Sequence, residues 1–241
     1  MAKIRIFIET SEISIGKVVN ISEKQSHYLF NVMKQKPGNS ILCFNGKDGE
    51  FDCHIENINK KSCQVKVLSK TKEFESVPDL WLLFAPLKKD NTDFVIEKAT
   101  ELGIKKIIPT ITQRAISEKV RADRFLAQAI EASEQCRRVD IPEISDAVTL
   151  ENLLKTWDKN RKLYFLDETG NGRKIHQVFQ NAAAPCAILV GPEGGFDEKE
   201  LEFLRKLDYT EAVGMGKRIL RAETAAVSAV ACWQSICGDW N

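Results

Sequence analysis

A chain of 241 residues, 43% hydrophobic and 29% charged, has room for one large domain or for a small and a medium one, and no apolar run approaches the length of a membrane span. The first ten residues lack the apolar stretch of a secretory leader, and seven cysteines without a Cys-x-x-Cys pair point to free thiols in a reducing compartment, so a cytoplasmic protein without a membrane partner is expected. Zinc-site spacing is absent and there are only three histidines, so no metal is expected. The net charge of +1 hides an asymmetry: residues 1–72 hold 12 Lys/Arg against 7 Asp/Glu (+5), and residues 73–241 hold 23 against 27 (−4). That excess suits contact with phosphates, and equally a solvated lysine-rich surface.

In chain order, Lys3–Glu9 alternates with Ile4, Ile6 and Ile8 on one face, which predicts a strand. Ser22 caps a predicted short helix running through His27 to Met33, stopped by Pro37-Gly38. Short strands are predicted at Ser40–Phe44, Glu50–Ile58 and Ser62–Ser69, joined by turns at Asn45–Gly49 and Asn59–Lys61, which suggests a small barrel. A polar stretch, Thr71–Asp79, then separates this part from a different pattern. Strands are predicted at Leu80–Ala85, Lys105–Pro109, Leu163–Leu166, Cys186–Val190 and Glu211–Val213. Helices are predicted at Asn91–Leu102, Ala122–Cys136, Asp197–Leu207 and Glu223–Cys237. The alternation predicts an α/β domain with a mostly parallel sheet. The expected domains are residues 1–72 and 73–241.

Two segments carry chemistry. Ile188–Phe196 is an apolar strand entering a loop with three glycines, Gly191-Pro192-Glu193-Gly194-Gly195, before Asp197 caps a helix. Glycines there let backbone groups approach a ligand in the crevice beyond the strand ends. No Gly-Lys-Ser/Thr comes after it, and the spacing is not that of a dinucleotide fingerprint. Val213–Ala225 repeats the arrangement: Gly214 and Gly216 come after a strand, and Arg218 and Arg221 precede a helix of small residues. Two arginines three apart after a glycine loop suit an anionic ligand or transition state better than two unrelated surface ion pairs.

With these segments the chain resembles the RsmE-type family, 16S ribosomal RNA uridine-N3 methyltransferases of the SPOUT superfamily. Gly191–Phe196 and Met215–Ala225 match its signature loops. Lys88, Asp93 and Glu97–Gly103 match its first catalytic-domain helix, and Pro109 and Arg114 lie where its pattern expects them. Glu131–Gln135, Arg138 and Pro142 match a further segment. Arg5–Phe7, His27–Gly38 and Asn45–Lys47 are similar to its PUA-like domain. Ala222 replaces the usual threonine and Lys34 the usual arginine, which keeps charge but loses the planar fork.

The resemblance implies a PUA-like RNA-binding β-barrel followed by a SPOUT domain with a C-terminal deep trefoil knot, active as a homodimer. The implied activity is methyl transfer from S-adenosylmethionine (SAM) to the N3 position of a uridine in 16S rRNA within the small ribosomal subunit. Implied cofactor contacts are Leu166, Leu189, Gly191, Pro192, Glu193, Gly194, Met215, Gly216, Ile219, Leu220, Thr224 and Ala225. Implied catalytic residues are Arg218, Arg221 and Glu223, the last either a base or a charge favoured at a helix N-terminus. Implied RNA contacts are Arg5, His27, Lys34, Lys88 and Arg114, although His27 serves equally as a structural helix residue. Two other functions are compatible with the sequence: a ribose 2′-O methyltransferase of the same superfamily, and a non-catalytic ribosome assembly factor.

Overall fold

Side chains on a strand point alternately to its two faces, and in β-type segments such as 51–55 and 63–67 every second one is apolar and buried. The computed structural model describes residues 3–115 and 120–241. Strands β1 (Arg5–Phe7), β2 (Val18–Ile21), β3 (Ser40–Phe44), β4 (Glu50–Ile58) and β5 (Cys63–Lys72) form a sheet in the order β1-β3-β4-β5-β2. All pairs are antiparallel except β1 with β3. Ile6, Ile21, Ile41, Cys43, Cys53, Ile55, Val65 and Val67 share one core, with Ile13 and Leu29 packed into it. The ladders run as a path from β1 to β2, with no ladder joining those two among the described residues. The barrel expected from the sequence is therefore open in its hydrogen bonding, and β2 is a strand the short Val-Val pattern did not reveal.

Helix α1 (Glu23–His27) starts where the Ser22 hydroxyl accepts the Gln25 N–H, and it continues as a π-helical turn, Tyr28–Val32. The chain divides into two units. The first runs to Ser76 and also includes Ser133–Ile141; the second comprises Val77–Ala132 and Pro142–Asn241.

The second unit is built on β6 (Leu80–Phe84), β7 (Lys106–Ile111), β8 (Glu143–Ile144), β9 (Val148–Thr149), β10 (Lys162–Leu166), β11 (Arg173–Lys174), β12 (Cys186–Val190) and β13 (Thr210–Gly214). The sheet is parallel, in the order β11-β13-β10-β12-β6-β7-β8, with β9 on β7. Helices α2 (Lys89–Glu101), α3 (Ala122–Cys136), α4 (Leu150–Lys155), α5 (Ile175–Phe179), α6 (Glu198–Arg205) and α7 (Ala222–Cys237) complete the chain. Leu150 and Leu154 of α4 and Leu201 and Leu204 of α6 pack with Leu163, Phe165 and Leu189 in one core. Helix α7 packs against α2, α5 and β12, burying Ala225, Ala226, Ala229, Val230 and Trp233. The one- and two-turn helices α4 and α5 and the two-residue strands are too short to give a periodic signal, and the sequence reading passed over them.

Candidate cofactor and catalytic site

Parallel strands end at a common edge, so the loops leaving β13, β10, β12, β6 and β7 emerge there in that spatial order. Every residue of β12 is buried, and the chain then turns through Gly191–Phe196 into α6. Asp197 caps that helix in a full capping box with Glu200. The cap N–H bond from Lys199 and the nearby Arg114 guanidinium hold the Asp197 carboxyl below its usual range.

The glycine loop is fastened by its neighbours. After β7, Arg114 donates through Nη1 to the Gly194 carbonyl (3.1 Å) and through Nη2 to Asp197 Oδ2 (3.3 Å), while the Gln113 N–H donates to Glu200 Oε1 (2.9 Å). After β10, Glu168 Oε1 accepts the Phe196 N–H at 3.2 Å. Gly195 has φ +67°, which favours glycine, and a Cβ there would stand 2.0 Å from that same Glu168 oxygen, so a larger residue would also push the Glu168 carboxylate off the loop. Asp167 anchors the β10 loop with a side chain that has no solvent exposure. It accepts Arg205 Nη2 (2.6 Å), the Thr169 hydroxyl (2.6 Å) and the Thr169 N–H (2.9 Å). Burial alone would raise the Asp167 pKa, but these donors outweigh it and the pKa is lowered.

The β13 loop is less constrained. Gly216 is exposed with open space where a Cβ would stand, and Ile219 keeps 84% of its surface exposed. Arg218 and Arg221 are exposed, and neither side chain has a hydrogen-bond or ion-pair partner among the described residues. Arg221 is the N-cap of α7 and makes no side-chain cap bond, and Ala222, where the family pattern has a hydroxyl, begins the helix. Glu223 lies in the first turn, and its Oε2 is buried without a hydrogen-bond partner. A buried carboxylate oxygen left unpaired is costly and needs a physical reason, such as a catalytic role or a bound water or ion.

The structure sorts the remaining expected site residues. Leu166 (6% exposed) and Leu189 (0%) put their side chains into the core, so a cofactor contact from either would be through its backbone. Pro192 is buried, Glu193 and Thr224 are exposed, Met215 and Leu220 are half-buried, and Ala225 is nearly buried. Lys88, the N-cap of α2, is exposed at the end of the β6 loop. In the first unit, His27 is exposed in the last turn of α1, and Lys34 is exposed with a left-handed φ of 52°. Arg5 is a correction. It is 8% exposed, donates to Glu50 (2.5 Å) and to the carbonyls of Ser133 (2.5 Å) and Arg138 (2.6 Å), and lies 3.8 Å over the Phe44 ring, so it is a buried strut and not an RNA contact. The sequence reading missed Glu168, Asp167 and Gln113; an Asp-Glu pair directly after the apolar run Leu163–Leu166 was the available signal.

Comparison with known proteins agrees with the class this edge defines, an RNA methyltransferase. A family model described as an RNA methyltransferase domain matches residues 75–234, and one described as an RNA methyltransferase PUA domain matches residues 21–68. A ribosomal RNA small subunit methyltransferase E from Rickettsia conorii is 35% identical over 94% of this chain and 93% of its own length. The protein of that name from Bacillus subtilis is 28% identical over 94% of each. The chain belongs to the ribosomal RNA small subunit methyltransferase E family. Two solved structures share the whole fold. The Neisseria gonorrhoeae methyltransferase E bound to S-adenosylmethionine has a TM-score of 0.90 and 27% identity, covering 100% of both chains. A Legionella pneumophila methyltransferase with bound SAM has a TM-score of 0.89 and 28% identity, covering 99% of this chain and 100% of its own.

Proposed function

We propose that this protein methylates N3 of a uridine in 16S rRNA, taking the methyl group from SAM. The observation that carries the reading is the segment after β13, where two unpartnered arginines and a buried, unpaired carboxylate oxygen occur within six residues at the sheet edge where ligands bind. The relatives named for small-subunit rRNA methylation and the two SAM-bound neighbours support the substrate and the cofactor.

The residues present fit SAM. The backbone of Gly191–Gly194 and of Met215–Leu220 would hold it, and the exposed Ile219 would cover an apolar part of it. Bound SAM supplies an electrophilic methyl group on a positive sulfur. The chain's own task is to align the uracil nitrogen, exclude water and remove the N3 proton. The Glu223 carboxylate accepts that proton as the N–H bond breaks, and Arg218 and Arg221 donate to the uracil carbonyl oxygens, where the negative charge spreads. A base paired through N3 is blocked, so the uridine must be unpaired or flipped out. Lys88 meets RNA phosphates at the same edge, and His27 and Lys34 do so in the basic first unit. Arg114, already fixed on Gly194 and Asp197, shapes the cofactor loop.

A trefoil knot is supported by strand order. β13 lies between β10 and β11, so the β10–β11 connection has to span the sheet position that β13 later fills, as a knotted connection would. Gly172 and Gly214 permit that path, since a Cβ on Gly172 would stand 2.6 Å from the Gly214 nitrogen. A homodimer rests on the family resemblance, because the alanines of α7 are buried within their own unit. A cytoplasmic site accords with seven free cysteines. Among the described residues no helix is long and apolar enough to cross a membrane.

The test is calorimetry with SAM on the wild type and on Gly194→Val. Gly194 has no positive φ and a Cβ there meets Arg114 at ordinary contact distances of 3.6 and 3.8 Å, so the variant is expected to fold, which its thermal melt checks. Loss of SAM binding in the variant supports the reading; undiminished affinity removes this loop from the site.

A further inference from the structure

The second unit carries a net −4 over residues 73–241, yet at the opposite edge of its sheet the charge reverses locally. A depression of about 550 Å³ lies where α4 ends, β10 begins and the chain enters β13. Lys155, Lys159, Lys162 and Lys206 line it, with Phe203 and Tyr209, and Asp208 is its lone acidic residue. Lys159 and Lys206 are exposed, and their ammonium groups have no partner among the described residues. Lys162 donates to the Asp208 carbonyl (3.2 Å), and among the described residues Lys155 pairs only with the exposed Glu151 (2.7 Å). Phe203, on the solvent side of α6, is 48% exposed, while Tyr209 is buried at 9%.

We propose that this depression is a second RNA-docking site, in which the lysines bind backbone phosphates and Phe203 stacks on an unpaired base. The chemistry favours RNA over a simple anion. Lysines on two helix ends, a connecting loop and a strand start spread the charge along a groove, as a phosphate chain requires, and an exposed aromatic ring among them gives a base a face to stack on. The macrodipole of a helix C-terminus accounts for Lys155 and Lys206 on their own, but not for Lys159 and Lys162, which lie outside helices, nor for the exposed phenyl ring. Five-residue strands set the depression about 16 Å from the cofactor edge, so it cannot hold the reacting base. It instead engages a distant part of a large RNA and raises the effective concentration of the target at the other edge. This inference rests on the proposed function for the identity of that RNA.

The test is the double variant Lys159→Ala/Lys206→Ala, with Lys159→Arg/Lys206→Arg as a charge-keeping control and Phe203→Ala as a separate probe. Binding to 16S rRNA is followed against salt, and methylation of small-subunit particles is followed as kcat and KM. For the alanine pair, the slope of log affinity on log salt should become shallower by about two, one for each lysine removed. KM for the particle should rise while kcat and SAM affinity stay at wild-type values, and the arginine pair should behave as wild type. Phe203→Ala should weaken RNA binding about fivefold or more without changing the slope. An unchanged slope and KM in the alanine pair overturns the proposal. So does a loss of affinity for the particle that spares protein-free rRNA, which would identify an acidic ribosomal protein as the partner. If the wild type transfers no methyl group, the proposed function fails, and the salt slope still decides whether this site binds RNA.

Discussion

Replacing Arg5 by alanine should unfold the first unit's core contacts, and the geometry sets the size of the effect. The guanidinium makes a 2.5 Å ion pair with Glu50, bonds two carbonyls, and lies over Phe44. Its side chain is 5% exposed and that of Glu50 is 11% exposed. After truncation the Glu50 carboxylate keeps, among the described residues, the Thr71 hydroxyl, and the carbonyls of Ser133 and Arg138 lose this donor. Breaking a buried pair by removing one partner costs about 3–5 kcal/mol, because the remaining charge stays buried. At roughly 4 °C or more per kcal/mol for a unit of this size, its melting transition should fall by more than about 10 °C. Thermal unfolding followed by far-UV circular dichroism and calorimetry resolves the transition, and two units make a single two-state fit inappropriate. Arg5→Lys should recover little, since one ammonium cannot replace the three-way fork. The reasoning is refuted if Arg5→Ala melts like the wild type and instead loses RNA affinity.

The site itself sets three further outcomes. Arg218→Ala or Arg221→Ala should lower the methylation rate about 100-fold or more while leaving SAM affinity nearly unchanged, and lysine should rescue poorly; stopped time courses and calorimetry separate the two effects. Glu223→Gln should lower the rate, with recovery as pH rises, and should leave the melting temperature unchanged or higher because Oε2 has no partner to lose; a wild-type pH–rate profile would exclude it as the base. The lowered pKa of Asp167 makes its ionised form a stabilising one. That contribution is present above the ordinary carboxylate pKa of about 4 and is lost as pH falls through the lower folded-state value. Urea midpoints should therefore drop on acidification in the wild type, and part of that drop should vanish in Asp167→Asn.

Much of this architecture could be read from the sequence because it is written in local patterns. Alternation located β3 and β4 and an apolar run located β12 to the residue, and Asp197 announced the start of α6. The two glycine loops stood out because each comes directly after a strand. Strand order could not be read, since no local pattern tells β13 to pair with both β10 and β11 rather than with β12. Arg5 misled for a related reason. The resemblance of Arg5–Phe7 to the family pattern suggests a phosphate contact, and only the return of Ser133–Ile141 to the same unit shows what the guanidinium holds. Arg114 and Glu168, which fasten the glycine loop, are brought to it by loops from two other strands, 80 and 28 residues away from their partners in the chain.

The most direct test of the central claim is to locate the transferred methyl group. Purified protein is incubated with methyl-labelled SAM and small ribosomal subunits from cells lacking this protein, and the 16S rRNA is digested and resolved by mass spectrometry. The account predicts label in a single uridine, on the base at N3, with a matching reverse-transcription stop. Label recovered in an alkali-stable dinucleotide would place the methyl group on a ribose, and RNA binding without any transfer would leave an assembly factor; either result contradicts the account.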